Sequence, residues 1–489
     1  MNNVLKVAAA LEHQLQKKTY NLSSTFLKDF NSRTGFVPFN NAKDLSGIAL
    51  VDTTMDPPIR ILSYEHQDFD QSYLRMIFIK HHYHHIIFIF RHSIDDAIRY
   101  REEMSKLGKL DISKNAAYRL INETGDGLPG LIAEVFGDYL QITTHSEFWS
   151  NHINFVSEYL LKQTGKKGVY WKTKFKSGHP VCKHYMGDAV KRKDGFFDLV
   201  VEENGMKVQI DLNDIASTGL FLDQRSNRQY VKSLFDGRDS GSILNTFSHT
   251  CSFSLIPALH GTKISSYNID NSRQYHKIAK KNFELNDVDV NFHRFIEKDV
   301  FSKLLEMKNK SLGFDVIILD PPTMARGYKF GVFTTKNRYR ELLDMALPLL
   351  NEGGYVVSFV NTRQVREEQW LRQLGVEDYM AEEGDNNNNS NNKKKEIPTK
   401  KTEEQLEFEK LNIETAKFSD QTRIAKHTSS VLPFVKLKGF KNLQSLEQDV
   451  DFRWRVGDER VGKHLKGVVL KHKVDYHQSK YKTSPFQSN

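Results

Sequence analysis

The sequence predicts an α/β fold whose main unit is a parallel sheet with helices packed against it. The stretch Ile243–Asp270 has the pattern of a strand, a turn of small and polar residues, a helix, and a second strand that ends on an acid. Phe314–Leu319, FDVIIL, is the continuous apolar run typical of a parallel strand covered on both faces, and Tyr355–Val360 is a second such run. Sheets of this type bind their ligands at the carboxyl ends of the strands.

The first unit has the features of a nucleotide-binding half-fold. Its helix, predicted over Phe253–His260, would point backbone N–H groups at a ligand, and Asp270 could accept both hydroxyls of a ribose. The turn lacks the G-x-G-x-x-G fingerprint, because Cys251 and Ser252 stand where glycine is expected. Every α/β protein contains such units, so this one alone does not identify a cofactor.

A second candidate site follows the apolar strand FDVIIL. The strand runs into Asp320, Pro321, Pro322 and Thr323. Two prolines cannot extend a strand ladder, so they set a rigid loop at the carboxyl end of the strand. A plain strand-terminating turn is the alternative, but the coincidence of acid, prolines and strand end favours an active site.

The rest of the chain divides into further regions. Strand and turn patterns predict a small β-rich and helical N-terminal region over residues 1–110 and an α+β central domain over 111–212. The main α/β domain is predicted over 213–442, with a disordered asparagine- and lysine-rich insert at 382–404. Residues 443–489 are predicted to form a basic tail.

A histidine-rich stretch, Tyr73–His92, precedes a charged helix predicted to start at the N-cap residue Ser93. Neighbouring histidines on a strand would point to opposite faces, and no carboxylate or cysteine converges on them. We therefore predict no metal site at the four histidines His81, His82, His84 and His85.

Composition limits the partners and the compartment. The 489 residues carry a net charge of +9, which suits a polyanionic partner such as RNA. The two cysteines, Cys182 and Cys251, cannot form a disulfide framework, so we expect an intracellular reducing compartment, with cytoplasm and mitochondrion left open. No stretch has the pattern of a membrane span. Arg225 and Arg228 lie three residues apart on one predicted helical face and could meet an anionic group, although a solvated charged face is the alternative.

The order of five segments resembles the class I S-adenosylmethionine-dependent methyltransferases, and more narrowly the bacterial large-subunit rRNA methyltransferases. These segments are TGLFLDQRSNR, ILNTFSHTCSFS, SYNID, FDVIILDPPT and LLNEGGYVVSF. One branch of these enzymes makes 5-methylcytosine, and another makes 7-methylguanine. The segment GDGLPGL resembles the central domain of the cytosine branch, whereas DPPT and SFVNTR resemble the guanine branch. The resemblance covers about Ala116 to Phe440 and implies a Rossmann-like methyltransferase sheet. It also implies an N-terminal RNA-binding module of the PUA type, for which Asn21–Tyr64 is the candidate.

The resemblance also implies roles for individual residues, with S-adenosylmethionine as the cofactor and rRNA as the partner. The segment over the cofactor would contain Phe221, Asp223 and Arg225. The loop at the methionine moiety would contain Asn245, Phe247, Ser248, Thr250 and Cys251. Asp270 would hold the ribose, Asp299 would meet the adenine amino group, and Asp320 to Thr323 would face the methyl group and the target base. The family has glycine at Cys251, so an inward thiol would crowd the cofactor.

Two chemistries remain open at the target base. Methylation of cytosine C5 needs a thiolate to add to C6, and the family's cytosine branch has a cysteine just after the strand that corresponds to Tyr355–Val360. This chain has no cysteine there, whereas guanine N7 needs only alignment with the methyl group. Thr323 is not aromatic, which disfavours an exocyclic amino target. The sequence thus favours guanine N7, with cytosine C5 methylation or a catalytically decayed RNA-binding protein as alternatives. Without G-x-G-x-x-G, a nicotinamide oxidoreductase is disfavoured.

Overall fold

The computed structural model describes the chain in segments separated by gaps. They are residues 34–40, 45–52, 59–66, 82–175, 179–259, 263–308, 310, 312–327, 331–362, 365, 367–374, 440–453 and 464–472. Three predictions fall outside these segments: an N-terminal helix over Met1–Lys18, the insert at 382–404, and strands at Ile413–Phe418 and Phe434–Lys438. None of the described helices is both long enough and apolar enough to cross a bilayer.

The N-terminal region contains a three-stranded antiparallel sheet of β1 (Thr34–Asn40), β2 (Leu45–Asp52) and β3 (Ile59–His66). Helix α1 (His82–Lys106) follows. Over the described part of the histidine-rich stretch, His82–His92, the prediction of a strand is therefore wrong, and so is that of a helix start at Ser93. Phe90, Ile94 and Ala97 recur at helical spacing and are buried in the core of the next domain, and this packing outweighs the β preference of the isoleucines and phenylalanines.

The central domain is built on a five-stranded sheet in the order β4-β5-β6-β7-β8. Its strands are β4 (Ala117–Asn122), β5 (Leu131–Phe136), β6 (Tyr139–Thr144), β7 (Gly168–Thr173) and β8 (Cys182–Gly187). Helix α2 (Ile153–Thr164) connects β6 to its parallel neighbour β7. Two short hairpins lead to the main domain: β9 (Arg192–Lys193) with β10 (Phe196–Phe197), and β11 (Val200–Glu203) with β12 (Met206–Gln209).

The main domain is a seven-stranded sheet in the order β15-β14-β13-β16-β19-β21-β20. Its strands are β13 (Ser240–Thr246), β14 (Lys263–Asp270), β15 (His293–Glu297), β16 (Phe314–Leu319), β19 (Leu350–Asn361), β20 (Phe440–Glu447) and β21 (Leu465–His472). The five strands from β15 to β19 are parallel, and β21 runs against both of its neighbours. The chain leaves β13 toward one edge through β14 and returns to β16 on the other side, so a crevice opens at the carboxyl ends of β13 and β16.

Helices and one hairpin complete this domain. The helices are α3 (Arg225–Ser233), α4 (Ser252–Ala258), α5 (Arg273–Leu285), α6 (Val300–Lys308), α7 (Thr335–Ala346) and α8 (Glu367–Leu374). The hairpin of β17 (Met324–Gly327) and β18 (Gly331–Thr334) follows the double proline. Leu244, Ile317 and Val356 are fully buried in the apolar layers around the sheet, as expected for parallel strands covered on both faces.

The predicted basic tail from residue 443 is wrong where the structure describes it. The predicted domain boundary at 442 cuts through β20, and β21 is hydrogen-bonded between β19 and β20. Val468, Val469 and Leu470 are buried in the sheet, which explains why this segment folds despite the lysines around it. The C-terminal segment therefore belongs to the main domain.

Candidate functional site

A cleft of about 290 Å³ lies at the carboxyl ends of β13, β14 and β16. It brings together ten of the residues predicted from the sequence: Phe221, Asp223, Asn245, Phe247, Ser248, Asp270, Asp299, Asp320, Pro321 and Pro322. The acid that ends β14 and the double proline that follows β16 thus face one crevice, as predicted. Four other predicted residues do not line it: Arg225, Thr250, Cys251 and Thr323.

Asp270 is held at the end of β14 by two backbone groups. Its Oδ2 accepts a hydrogen bond from the N–H of His249 at 2.9 Å, and its Oδ1 accepts one from the N–H of Ser272 at 2.8 Å. Each carboxylate oxygen has two lone pairs, so each can accept a further bond from a ligand in the cleft. The acid is therefore fixed in orientation and still able to bind a pair of hydroxyls.

Asp299 lines the cleft just after β15. Its Oδ1 accepts hydrogen bonds from both the N–H and the hydroxyl of Ser302, each at 2.9 Å. Its other carboxylate oxygen has no hydrogen bond of its own among the described residues. The geometry fits an acceptor for an amino group.

The loop from Asn245 to Cys251 curves around one side of the cleft through three residues in the left-handed region. Phe247, His249 and Cys251 have φ of 53°, 50° and 63°. Each such residue costs about 1–2 kcal/mol relative to glycine. The loop is held by the N–H of Ser248, which donates to the carbonyl of Ile269 at 3.0 Å, and by the hydroxyl of Thr250, which donates to the carbonyl of Gly219 at 2.7 Å. Thr250 thus supports the loop from behind.

The side chain of Cys251 points away from the cleft. It is fully buried and packs in the apolar cluster that contains Leu255, Ile256 and Ala279. Burial raises the pKa of the Cys251 thiol far above its usual range. The thiol therefore neither crowds the cleft, as the missing glycine had suggested, nor serves as a nucleophile in it.

His249 is a cleft residue that sequence reasoning missed. Its ring lies between Phe221 and Tyr275, with centroid distances of 4.8 and 4.2 Å. Burial lowers the pKa of His249 to about 3, so its ring is neutral. Phe221 is 44% exposed at the rim of the cleft. These three rings form an aromatic wall of the cleft, which no local sequence pattern predicts.

The other end of the cleft contains two neighbouring acids, Asp223 and Asp320. Oδ2 of Asp223 lies 3.1 Å from Nε2 of His464, and Oδ2 of Asp320 accepts a hydrogen bond from the side-chain amide of Gln224 at 3.2 Å. Burial, together with the nearby charge of Asp223, raises the pKa of Asp320 to about 7. Two like charges in one crevice favour a proton on one of them.

Thr323 stabilises the double-proline loop through two hydrogen bonds. Its hydroxyl donates to the carbonyl of Asn361 at 2.9 Å, and its carbonyl accepts from the N–H of Thr335 at 3.1 Å. These bonds tie the double-proline loop to the end of β19 and to the start of α7. The predicted contact of Thr323 with a target base is not supported by this position.

The two arginines of α3 are neither solvated nor available for a ligand. Nη1 of Arg225 lies 3.1 Å from Asp449 and 3.0 Å from Asp451, and Arg228 forms a two-pronged pair with Glu203 at 2.7 Å for each bond. All of these side chains are buried. The prediction that Arg225 covers the cofactor is therefore wrong, because its guanidinium joins α3 to the C-terminal segment.

Four carboxylates line the cleft, and its two cations are already neutralised. The acids are Asp223, Asp270, Asp299 and Asp320. Arg228 is paired with Glu203, and the other cation, Lys298, is paired with Glu306. The cleft therefore favours a ligand with positive charge and disfavours a pyrophosphate.

Metal binding has no support in the described part of the chain. No group of three or more histidine, cysteine, aspartate or glutamate residues lies close enough there to hold an ion. The side chains of the N-terminal histidine cluster are not described, so that prediction is not tested.

Comparison with known proteins identifies the type of fold. Residues 169–380 match the family described as S-adenosylmethionine-dependent methyltransferase. The predicted resemblance to methyltransferases is confirmed. A solved structure of SMU.776, a protein assigned as a methyltransferase and bound to SAH, has a TM-score of 0.66 at 22% identity and covers 94% of this chain and 97% of its own. A Streptococcus mutans protein assigned as a SAM-dependent methyltransferase gives 0.65 at 21% identity, with 94% and 97% covered. At this identity the likeness shows the methyltransferase fold alone.

Sequence relatives carry names in rRNA modification. YwbD of Bacillus subtilis (strain 168), named as a ribosomal RNA large subunit methyltransferase, is 32% identical over 252 residues, which is 50% of this chain and 61% of that protein. Ribosomal RNA large subunit methyltransferase I of Escherichia coli (strain K12) is 28% identical over 288 residues, 56% of this chain and 66% of that protein. The chain thus spans less than two thirds of the length of these methyltransferase relatives.

Proposed function

We propose that the chain is an S-adenosylmethionine-dependent methyltransferase that acts on large-subunit rRNA and transfers the methyl group directly to a base nitrogen such as guanine N7. The observation that carries the proposal is the acidic cleft at the methyltransferase switch point, with four carboxylates and no unneutralised cation among the described lining residues. S-adenosylmethionine combines an ammonium, a carboxylate and a sulfonium, so its net charge is positive. The anionic pyrophosphate of a nicotinamide dinucleotide would be repelled.

The residues present fit this cofactor. Asp270, with a free lone pair on each oxygen, would hold the ribose hydroxyls, and Asp299 would accept from the adenine amino group. Asp223 and Asp320 would face the sulfonium end. When bound, the cofactor supplies an electrophilic methyl group. The double-proline loop, fixed by Thr323, would hold the target base in line with that group, which is a proximity effect.

The positions of both cysteines support a nitrogen target over cytosine C5. Cys251 is buried in an apolar cluster behind the loop, and Cys182 lies on β8 of the central sheet, where its thiol donates to the carbonyl of Leu212 at 3.0 Å. Burial raises the pKa of Cys182 to about 11. Neither thiol lines the cleft, and neither would be a thiolate at neutral pH. A covalent step at cytosine C6 therefore has no nucleophile, whereas guanine N7 already has a lone pair.

RNA is the proposed partner, and the proposed compartment is intracellular and reducing. The relatives named as rRNA methyltransferases and the net charge of +9 support RNA as the partner. The β1–β3 sheet is proposed as part of a PUA-type RNA-binding module. Two thiols without a disulfide support a reducing intracellular compartment.

Methyl transfer to an unmodified large-subunit rRNA transcript tests the function. With methyl-labelled S-adenosylmethionine we expect labelled RNA, and mass spectrometry of its nucleosides should show 7-methylguanosine. Asp320→Asn should reduce the rate about 100-fold, since it removes a charge aimed at the transferred group. Asp344→Asn, at an exposed acid of α7, should leave the rate unchanged.

Other outcomes separate the alternatives. Labelled 5-methylcytidine would reject the nitrogen target and restore the cytosine mechanism. RNA binding that survives Asp320→Asn, with no label transferred by any form of the protein, would favour a catalytically decayed RNA-binding protein.

A further inference from the structure

His464, which lies behind the lining of the cleft, contacts one of the acids that face it, Asp223. It stands directly before β21, and its Nε2 lies 3.1 Å from Oδ2 of Asp223, 241 residues away. Its backbone N–H donates to the side chain of Gln448 at 3.2 Å, and its ring lies 6.0 Å from that of Phe452. The imidazole is thus positioned by its own segment before it meets the acid.

Asp223 and Asp320 form a pair of acids with unequal partners. Asp223 has the direct contact with His464, whereas the side-chain partner of Asp320 is the neutral amide of Gln224. That amide is itself fixed, because its oxygen accepts from the side chain of Asn227 at 2.7 Å. A neutral donor stabilises a carboxylate less than a histidine does, so a shared proton belongs on Asp320.

The other charged and titratable groups near the pair do not reverse this order. The positive charge of Arg228 lowers the pKa of both acids, but this charge is paired with Glu203. The charge of Arg119 lowers the pKa of Asp223, but Arg119 is itself paired with Glu134 at 2.9 Å. Among the described residues, the phenol of Tyr339 also lies near Asp320. Its hydroxyl donates to the carbonyl of Leu319 at 3.1 Å, and burial raises its pKa well above its usual range.

The shifts of the two acids agree with the geometry. Burial acts to raise the pKa of Asp223, but the hydrogen bond and charge of His464 bring it below its usual value. Asp320, without such a partner, keeps a pKa of about 7. At neutral pH one acid is charged and the other is partly protonated.

We infer that His464 is a positioning residue of the cofactor site: it keeps Asp223 negatively charged, so that the proton of the acid pair resides on Asp320 and leaves for solvent when a positively charged sulfonium binds. The inference rests on the proposed function, because it needs a sulfonium cofactor. In the step, the Asp320 O–H bond breaks, the electron pair stays on the carboxylate, and the proton passes to buffer. The occupied site thereby has the same net charge as the empty site, and the balancing positive charge is the proton released to buffer.

Calorimetry in buffers of different ionisation enthalpy counts the protons released. S-adenosylmethionine and S-adenosylhomocysteine differ by one methyl group and one positive charge, so they form a matched pair of ligands. At pH 6.5 we expect S-adenosylmethionine to release roughly three quarters of a proton, since a group with a pKa near 7 is protonated to that extent. S-adenosylhomocysteine should release much less. Asp320→Asn should abolish the difference.

Variants of His464 test its part separately. In His464→Phe the acid pair loses its donor and holds protons to higher pH, so at pH 8 the variant should release several times the roughly one tenth of a proton expected of the wild type. His464→Gln keeps an N–H donor but replaces the histidine by a neutral amide, so its proton release at pH 8 should lie between those of the wild type and His464→Phe. His179→Phe, at an exposed histidine of the central domain, is the matched control. The asparagine of His464→Asn is smaller and too short to reach Asp223, so this variant should release protons as His464→Phe does. It replaces His464→Phe in the test if the phenylalanine ring prevents folding.

The outcomes distinguish the inference from the function on which it rests. If both ligands bind the wild type and release equal numbers of protons, or if His464→Phe and His464→Asn match the wild type at pH 8, the inference is overturned. If neither ligand binds the wild type, the proposed function fails and the inference falls with it.

Discussion

Two clusters of acids differ in what holds them, and Asp223 is the one buried acid of the cleft, whereas Asp126, Asp449 and Asp451 are all buried. Where the central domain meets the main domain, arginines bind the acids directly: Arg101 pairs with Asp126 at 2.6 Å, and Arg225 pairs with Asp449 and Asp451. In the cleft the acids are held by backbone N–H groups, an amide and a histidine. A buried carboxylate without a fixed cation is unfavourable unless a ligand supplies the charge.

The difference separates the acids that stabilise the fold from the acids that face a ligand. Asp451 shows the structural type: its carboxylate accepts from Arg225 and from the N–H of Arg119, and its carbonyl accepts from Arg101. One residue thus joins the C-terminal segment to α1, β4 and α3. Asp320 shows the ligand-facing type, with a single amide partner and a raised pKa.

Breaking the structural cluster should have the largest effect on stability. Arg225→Met leaves Asp449 and Asp451 buried without their main cation, so we expect the free energy of unfolding to fall by about 3–5 kcal/mol. Urea unfolding measures it. Lys281→Met, which removes an exposed pair with Glu284, should cost less than about 1 kcal/mol. Equal losses in the two variants would contradict the structural role of Arg225.

Removing the charge of Asp320 should have a smaller effect on stability, with the opposite sign. A carboxyl whose pKa is raised by folding contributes its full stability below its unfolded pKa, near 4, and loses it as the pH rises through the folded pKa, about 7. The amide introduced by Asp320→Asn does not titrate. We therefore expect this variant to gain stability relative to the wild type between pH 4 and 7 and to keep a constant advantage above that range.

Urea midpoints of both proteins at pH 5, 6, 7 and 8 measure this difference. Asp344→Asn, at an exposed acid, should run parallel to the wild type throughout. Parallel curves for Asp320→Asn as well would mean that Asp320 is not protonated in the folded protein.

The sequence predicted the ligand-facing cluster better than the structural one. Asp270 and Asp320 end parallel strands, and the carboxyl ends of such strands converge, so local patterns were sufficient. Asp451 and His464 meet partners more than 200 residues away, and no local pattern encodes such a contact. One signal of β21 was present in the sequence: Val468–Leu470 is a short apolar run with lysines on both sides, and it lies within that strand.

The smallest expected effect concerns Cys251, where the family has glycine. At a φ of 63°, a side chain strains the backbone, but the buried thiol also fills space in the core. Cys251→Ala keeps the strain and loses the packing, whereas Cys251→Gly loses both. We expect the glycine variant to be more stable than the alanine variant by about 1 kcal/mol, measured by urea unfolding. Because the thiol faces away from the cleft, both variants should bind S-adenosylhomocysteine within about twofold of the wild type. A large gain in affinity on Cys251→Gly would mean that the thiol does crowd the cofactor, and the shape of the loop would then limit binding as well as the acids of the cleft.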